Sequence, residues 1–420
     1  MRVAAFVSDP AALESAGVRI RYDRLRSALA ARGVALQVHV ADGGLSGSQL
    51  RADCAIITKI YDGRAVALAR HLRAQGCRVG VDIFDDYFSQ RQDARFTAMR
   101  GWLAQLRPHL DFALCATPPM RDRLAKLLPG LPTHVMNDPH EALDPDAIAA
   151  SVEAAAARAR ADRVIEIAWF GMGDSSHFQV GLDDVAAFGS HLAPFRRNGW
   201  SARLRLLTNA RAMTVARLQG LSRLPVPFEL EEWTADRQEA LLRDALVSFL
   251  PVNAQPFSTV KSMNRAVSSL LGGAQVLSVG YPLYAPLGDL VYRSAGELLA
   301  DLEADRLRLR RACLPLLAER LAAAGDPDHE AAGLAAFLAG RPEPAAAAGP
   351  LLALVHGIQS GGIVHQTAEQ LGALSVAHPL LPAPGFDSDV VLIPTDRAMV
   401  AGLSKRAEAR LRPDLAPAAR

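Results

Sequence analysis

Cysteine is scarce and scattered in this chain. Cys54, Cys77, Cys115 and Cys313 are the whole complement of 420 residues. They show no CxxC spacing, which excludes a zinc framework or a disulfide scaffold and leaves small buried hydrophobes in a reducing compartment. An excess of one charge is missing too. With 46 basic and 44 acidic residues the formal charge is +2, so nothing attracts nucleic acid or an anionic membrane in general, and any anion site must be local. Aromatic residues make up 6 % of the chain and do not alternate with basic ones, a further argument against nucleic acid. No apolar run is long enough to span a membrane. The stretch between Arg265 and Asp289 carries no charge, but paired glycines, serines and prolines interrupt it. The opening MRVAAFVSDP has too short an apolar run for a signal peptide and reads as a first strand. A cytoplasmic location follows, with peripheral contact to the inner membrane face left open.

Half of the residues are hydrophobic, and the length exceeds one ordinary core. VAAFVS, ALQVHV, CAIITK, RVGVDIF, FALCAT and THVMN are short apolar runs. Helical patterns over 19–32, 63–75 and 121–128 separate some of them. This alternation predicts a parallel sheet covered on both faces, with ligands beyond the carboxyl ends of its strands. An alanine-rich stretch, 144–162, reads as an interdomain helix or linker rather than a core element. A second series follows: IEIAWFG, RLRLLTN, PVPFELEEW, ALVSFLPV and AQVLSV. The expected class is therefore α/β, with Rossmann-like domains over 1–145 and 163–340 facing each other across a cleft. After an alanine- and proline-rich break, residues 350–420 form a C-terminal β-α-β-α extension, built from LLALVHG, a helix over 363–371, DVVLIPT and a final helix. Gly361-Gly362 ahead of the tail's first helix suits a tight turn better than a phosphate.

The most informative segment is QPFSTVKSMNRAVSSLLGGAQVLSV, residues 255–279. Met263, Ala266, Val267, Leu270 and Leu271 form the stripe of a helix pressed on a core. Lys261 and Arg265 lie one turn apart on its other face, with Ser258 and Thr259 ahead of it as candidate caps. Free N–H groups, the positive end of the helix dipole and two cations would then converge on a diphosphate. An ordinary solvated basic face gives the same spacing. Asp82, Asp85 and Asp86 follow a strong strand, where clustered carboxylates raise one another's pKa and can supply a general base or bind hydroxyls. Capping or plain solvation of a loop is the alternative reading for each. Gly171 and Gly173, before Asp174, close the first strand of the second series and permit a close backbone approach to a ligand. His177 beside them reads as structural or surface.

Four segments together resemble GT-B glycosyltransferases, and more narrowly the retaining bacterial surface-glycan transferases. They are RIRYDRLRSALAARG, RVGVDIFDDYF, IAWFGMGDSSHF and FELEEWTADRQEALLRDALVSFLPVNAQPFSTVKSMNRAVSSLLGGAQVLS, within residues 1–305. The resemblance implies that Ser258, Thr259, Lys261, Arg265 and the loop of Gly171 and Gly173 hold a nucleotide-sugar diphosphate. It also implies that Asn264 contacts ribose or phosphate, that Glu229 and Trp233 lie at the nucleotide base, and that Arg19 touches the acceptor. Trp233 is as well suited to a core position, and Arg19 and Arg21 to an exposed helix face. One departure stands out: Gln255 occupies the place of the first of two glutamates common in such enzymes, and Met263 or Asn264 lies near the second.

A sugar transferase follows from this resemblance, using a nucleotide-sugar donor and a glycan, lipid-linked sugar or protein as acceptor, as in polysaccharide biosynthesis. Asp85 and Asp86 are its candidate catalytic residues, with no metal and no cofactor beyond the donor. Two alternatives remain open: a non-catalytic nucleotide-sugar-binding scaffold and a nucleotide-sugar epimerase on the same fold.

Overall fold

The computed structural model describes residues 1–340 apart from 42–44, 46, 91 and 92, together with two strands of the tail, Leu351–His356 and Ser388–Ile393. The chain divides into two compact units, Met1–Met136 with Glu330–Arg420, and Asn137–His329. The divisions fall at 136/137 and 329/330, ahead of the alanine-rich stretch and before residue 340.

In the first unit six strands form one sheet: β1 Arg2–Val7, β2 Ala35–Val40, β3 Cys54–Thr58, β4 Arg78–Asp82, β5 Phe112–Cys115 and β6 Thr133–Val135. Their order is β2-β1-β3-β4-β5-β6, and every pairing is parallel. All residues of β3, β4 and β5 are buried, as strands covered on both faces require. Helix Gly63–Ala74 starts on the Asp62 carboxylate, and helix Pro118–Leu127 starts on the Thr117 hydroxyl with proline in its first turn. The chain comes back to this unit through helix Pro327–Ala339, whose Ala331, Leu334 and Leu338 join the first core.

The helix expected over 19–32 is broken. A short turn, Ala16–Val18, runs into a π-helical segment, Arg19–Asp23, and only then into Arg26–Ala30. The wider turn lets the consecutive residues Arg21 and Tyr22 both point inward, each almost fully buried, so Arg21 is no exposed helix-face residue.

The second unit repeats the plan with β7 Val164–Phe170, β8 Ser201–Thr208, β9 Phe228–Glu232, β10 Val247–Phe249, β11 Gln275–Leu277 and β12 Val291–Tyr292. The order is β12-β11-β10-β7-β8-β9, again all parallel. The strand order reverses between β7 and β10, and in the first sheet between β1 and β3; such crevices are where open α/β sheets bind ligands.

Helix Pro145–Asp162 overturns the linker reading. Ile148, Ala149, Val152, Ala155, Ala156 and Ala159 are buried in the second core. Small alanines at helical spacing bring its axis close to the sheet, so the lack of bulky residues marks tight packing rather than exposure. In the tail, β13 Leu351–His356 and β14 Ser388–Ile393 pair in parallel. The helix expected at 363–371, the glycine pair before it and the final helix lie outside the described residues.

Candidate functional site

At the β7/β10 crevice the carboxyl ends of two strands deliver two loops. Gly171 leaves β7 with φ 142°, a left-handed conformation that favours glycine. A Cβ on it would lie 3.4 Å from Arg265 Cδ and 3.5 Å from Nη1, so the guanidinium rests against bare backbone. Arg265 also stands 6.0 Å from the Trp169 ring centroid and hydrogen-bonds the Tyr284 hydroxyl. Burial raises the Tyr284 phenol, with Arg265 opposing. The loops are tied by a polar lattice. Asn253 donates to Gln179 O at 2.9 Å and to Asp184 Oδ1 at 2.7 Å, while Asp184 Oδ2 accepts from Gly181 N at 3.2 Å. Gln255 donates through its side chain to the same Gln179 carbonyl and through its backbone to Asn253 Oδ1. Burial raises the Asp184 carboxyl, and Asn253, Gly181 and Arg265 counter it.

The phosphate segment is built differently from the expectation. Ser258 and Thr259 do not cap the long helix; they belong to a separate turn, Pro256–Thr259, where Ser258 is buried and Thr259 Oγ1 donates back to Pro256 O. Proline after Gln255 starts that turn early, and the chain must break before the next helix. Helix Asn264–Leu271 then begins on Met263, which makes no side-chain cap, with Asn264 and Arg265 in its first turn. Lys261 lies before this helix, its Nζ 3.9 Å from the centroid of Phe257, which stacks on Phe178 at 4.2 Å. Ser262 Oγ donates to Asp138 at 2.5 Å, fixing the stretch between the two helices.

Gly173 has a packing role. A Cβ there would come within 2.3 Å of Thr208 Oγ1 and 2.7 Å of Ala212 Cβ. Asp174 beside it is held by Arg211 and Asn209, and His177 N donates to Ser175 Oγ. Glu229 is not brought to the crevice. It is the second residue of β9, and its side chain lines a groove with Arg158, Glu166 and Arg203 at the amino ends of the strands. Trp233, just past the end of β9, packs on the Phe170 and Leu207 cluster and donates Nε1 to Gln238 at 2.7 Å.

The three aspartates of the first unit diverge. Asp82 receives Arg21 Nε at 2.7 Å and Nη2 at 2.8 Å, and Tyr22 donates to it at 2.8 Å while meeting Thr58 at 2.5 Å. Burial raises the Tyr22 phenol, reinforced by Asp82. Asp86 is fully buried as the anchor of a turn, accepting from Phe88 N, Ser89 N and Ser89 Oγ and pairing with Arg123. A carboxylate so engaged has no lone pair directed at a substrate, which removes Asp86 from the catalytic candidates. Asp85 pairs with Lys59 at 2.9 Å. Arg19, in the π-helical turn, is half-buried. Asn253, Asp184, Tyr284 and Lys59 were not legible as site residues. Only the position of Asn253, just after an apolar strand and before Gln255-Pro256, offered a signal.

No family model matches the chain, and no curated protein matches it in sequence. Solved structures do. Trehalose-6-phosphate synthase OtsA aligns with TM-score 0.55 at 14 % identity, over 81 % of this chain and 100 % of that one. Anabaena HepE in complex with UDP and glucose aligns with TM-score 0.53 at 11 % identity, over 81 % and 100 %. The fold is GT-B. An E. coli structure described as trehalose-6-phosphate bound with UDP-2-fluoro glucose agrees, with TM-score 0.52 at 12 % identity over 80 % and 99 %. The GT-B match, at these identities, is a statement about the fold. Among the described residues no helix is long and apolar enough to cross a membrane.

Proposed function

We propose that this protein is a glycosyltransferase that moves a sugar from a nucleotide-sugar donor to an acceptor hydroxyl. The observation that carries the reading is the convergence at the β7/β10 crevice of Gly171, the Arg265 guanidinium and the amino end of helix Asn264–Leu271. The GT-B neighbours with UDP or a UDP-sugar in their descriptions support it. In the reaction the bond from the sugar's anomeric carbon to the diphosphate oxygen breaks, an acceptor oxygen bonds to that carbon, and the acceptor proton leaves to a base. Arg265 and the helix N–H groups stabilise the departing diphosphate as its charge grows. The second unit holds the donor and the first unit the acceptor. Asp85 serves the acceptor hydroxyl, because its cation partner, unlike those of Asp82 and Asp86, has a side chain as exposed as 41 %.

The acceptor belongs among glycans, lipid-linked sugars or proteins, as in polysaccharide biosynthesis at the cytoplasmic face of a membrane. A panel of nucleotide sugars tests the reading: one of them is expected to raise the melting temperature and to be consumed when acceptors are added. Stabilisation without consumption favours a binding scaffold, and no stabilisation by any donor refutes the reading.

A further inference from the structure

Lys59 takes no part in the leaving-group chemistry, yet it occupies the corresponding crevice of the first sheet. It follows β3 directly, beside the β1/β3 reversal, and its backbone is left-handed with φ 53°. Glycine or asparagine adopts that conformation at less cost than lysine does. Two neighbours direct its side chain. Nζ lies 2.9 Å from Asp85 Oδ2 and 4.4 Å from the centroid of Phe84, whose ring has the buried Arg21 guanidinium 5.0 Å away. Gly17 leaves room for that ring, since a Cβ there would meet it at 3.2 Å. The Lys59 side chain is 41 % exposed while that of Asp85 is 6 % exposed, so the lysine is the pair's face toward water. Tyr61 and Tyr87 lie near the carboxylate, and both phenols are pushed up, by burial first and then by Asp85.

The geometry points to Lys59 as an acceptor-binding residue. One N–H is committed to Asp85, and the others serve an acceptor oxygen while the carboxylate stays in place to accept from a neighbouring hydroxyl. A donor and an acceptor side by side complement two hydroxyls on adjacent carbons, so the acceptor class is a polyol with a vicinal diol. This assignment rests on the proposed glycosyl transfer.

Lys59→Gly and Lys59→Asn, which both accept the left-handed backbone, are to be compared with Lys59→Arg. The assay uses the donor identified above, with free hexoses and their deoxy analogues as acceptors. The Gly and Asn variants relieve the left-handed backbone but leave Asp85 without the Lys59 cation, so they are expected to melt somewhat lower than wild type while keeping the donor KM. They should lose on the order of ten- to a hundredfold in kcat/KM for the acceptor, the worth of one charge-assisted hydrogen bond, with a rise in acceptor KM as the signature of lost binding. Lys59→Arg retains most of the activity. An acceptor lacking the hydroxyl assigned to Lys59 should be disfavoured by wild type and not by Lys59→Gly. Unchanged acceptor kinetics in an active Lys59→Gly enzyme overturn the assignment and leave the transferase reading standing. So does a lowered melting temperature with donor and acceptor affected alike. A wild type that binds nucleotide sugar but transfers to no acceptor takes down both.

Discussion

Arg265 and Asp85 are the residues at which binding and turnover separate. Arg265→Ala removes the cation on Gly171 without opening the core, because the buried stripe of its helix is Ala266, Val267, Ser269 and Leu270. Nucleotide-sugar affinity is expected to fall by about tenfold or more, the worth of a hydrogen bond to a charged group. Calorimetric titration checks this, and an unchanged Kd would remove Arg265 from the donor site. Asp85→Asn is expected to leave donor affinity intact and lower turnover by roughly 10²–10⁴, the usual contribution of a general base. Asp86→Ala behaves oppositely: it strips the turn of its acceptor and removes the carboxylate that pairs with Arg123, costing roughly 1–3 kcal/mol of stability. Denaturant titration should show that loss in Asp86→Ala and not in Asp85→Asn. The sequence alone could not rank these two neighbours, since Asp86 accepts from the backbone N–H groups of Phe88 and Ser89 and Asp85 pairs with Lys59, which is far from it in sequence.

Among elements, strands were more legible than helices. Buried parallel strands such as Cys54–Thr58 are continuous apolar runs and announce themselves. Val291–Tyr292 is too short to do so. Helix Pro145–Asp162 was misread because its composition suggested a linker while the spacing of its alanines made a core stripe. Ile148→Ala is therefore expected to cost about 2 kcal/mol or more, as a buried large-to-small change does, where a linker residue would cost nearly nothing. The π-helical turn Arg19–Asp23 left no mark either, because its apolar spacing resembles that of an ordinary helix. In the loop after β7 both glycines suggest a close backbone approach to a ligand, but Gly171 faces the candidate site while Gly173 packs on Thr208 and Ala212. Gly173→Ala would drive a methyl into Thr208 and Ala212 and is expected to destabilise by about 1–3 kcal/mol, measured by chemical denaturation. The lattice of Asn253, Asp184 and Gln255 joins residues up to 76 apart in sequence, which no local pattern encodes.

At the scale of the whole molecule the two units differ in their response to acid. His39, His71, His109 and His134, all in the first unit, are held below the ordinary imidazole range. Burial is the main cause in each, and for His109, lowered to about 4, Arg70 and Arg73 add to it. A depressed folded pKa means stability that is complete above the unfolded value and is lost as pH falls toward the folded one. The window for His109 therefore runs from about 6.5 down to about 4. In the second unit burial raises Asp184, which works in the opposite direction over the carboxylate range, while Asp174, whose burial is outweighed by Arg211 and Asn209 so that its carboxyl is lowered, loses stability with acid in that same low range. Amide hydrogen exchange compared at neutral and mildly acidic pH is expected to show β3–β5 losing protection before β7 and β8. Equal loss in both units would contradict it.

The homecoming of helix Pro327–Ala339 bears on how the protein is made. Ala331, Leu334 and Leu338 complete a core whose other members lie before residue 137. During synthesis the second unit has its whole sequence available first, while the earlier-made first unit waits on the ribosome for those three side chains. Nascent chains halted after the second unit but before Leu338 has emerged should carry a protease-sensitive amino-terminal half beside a resistant unit that was translated later.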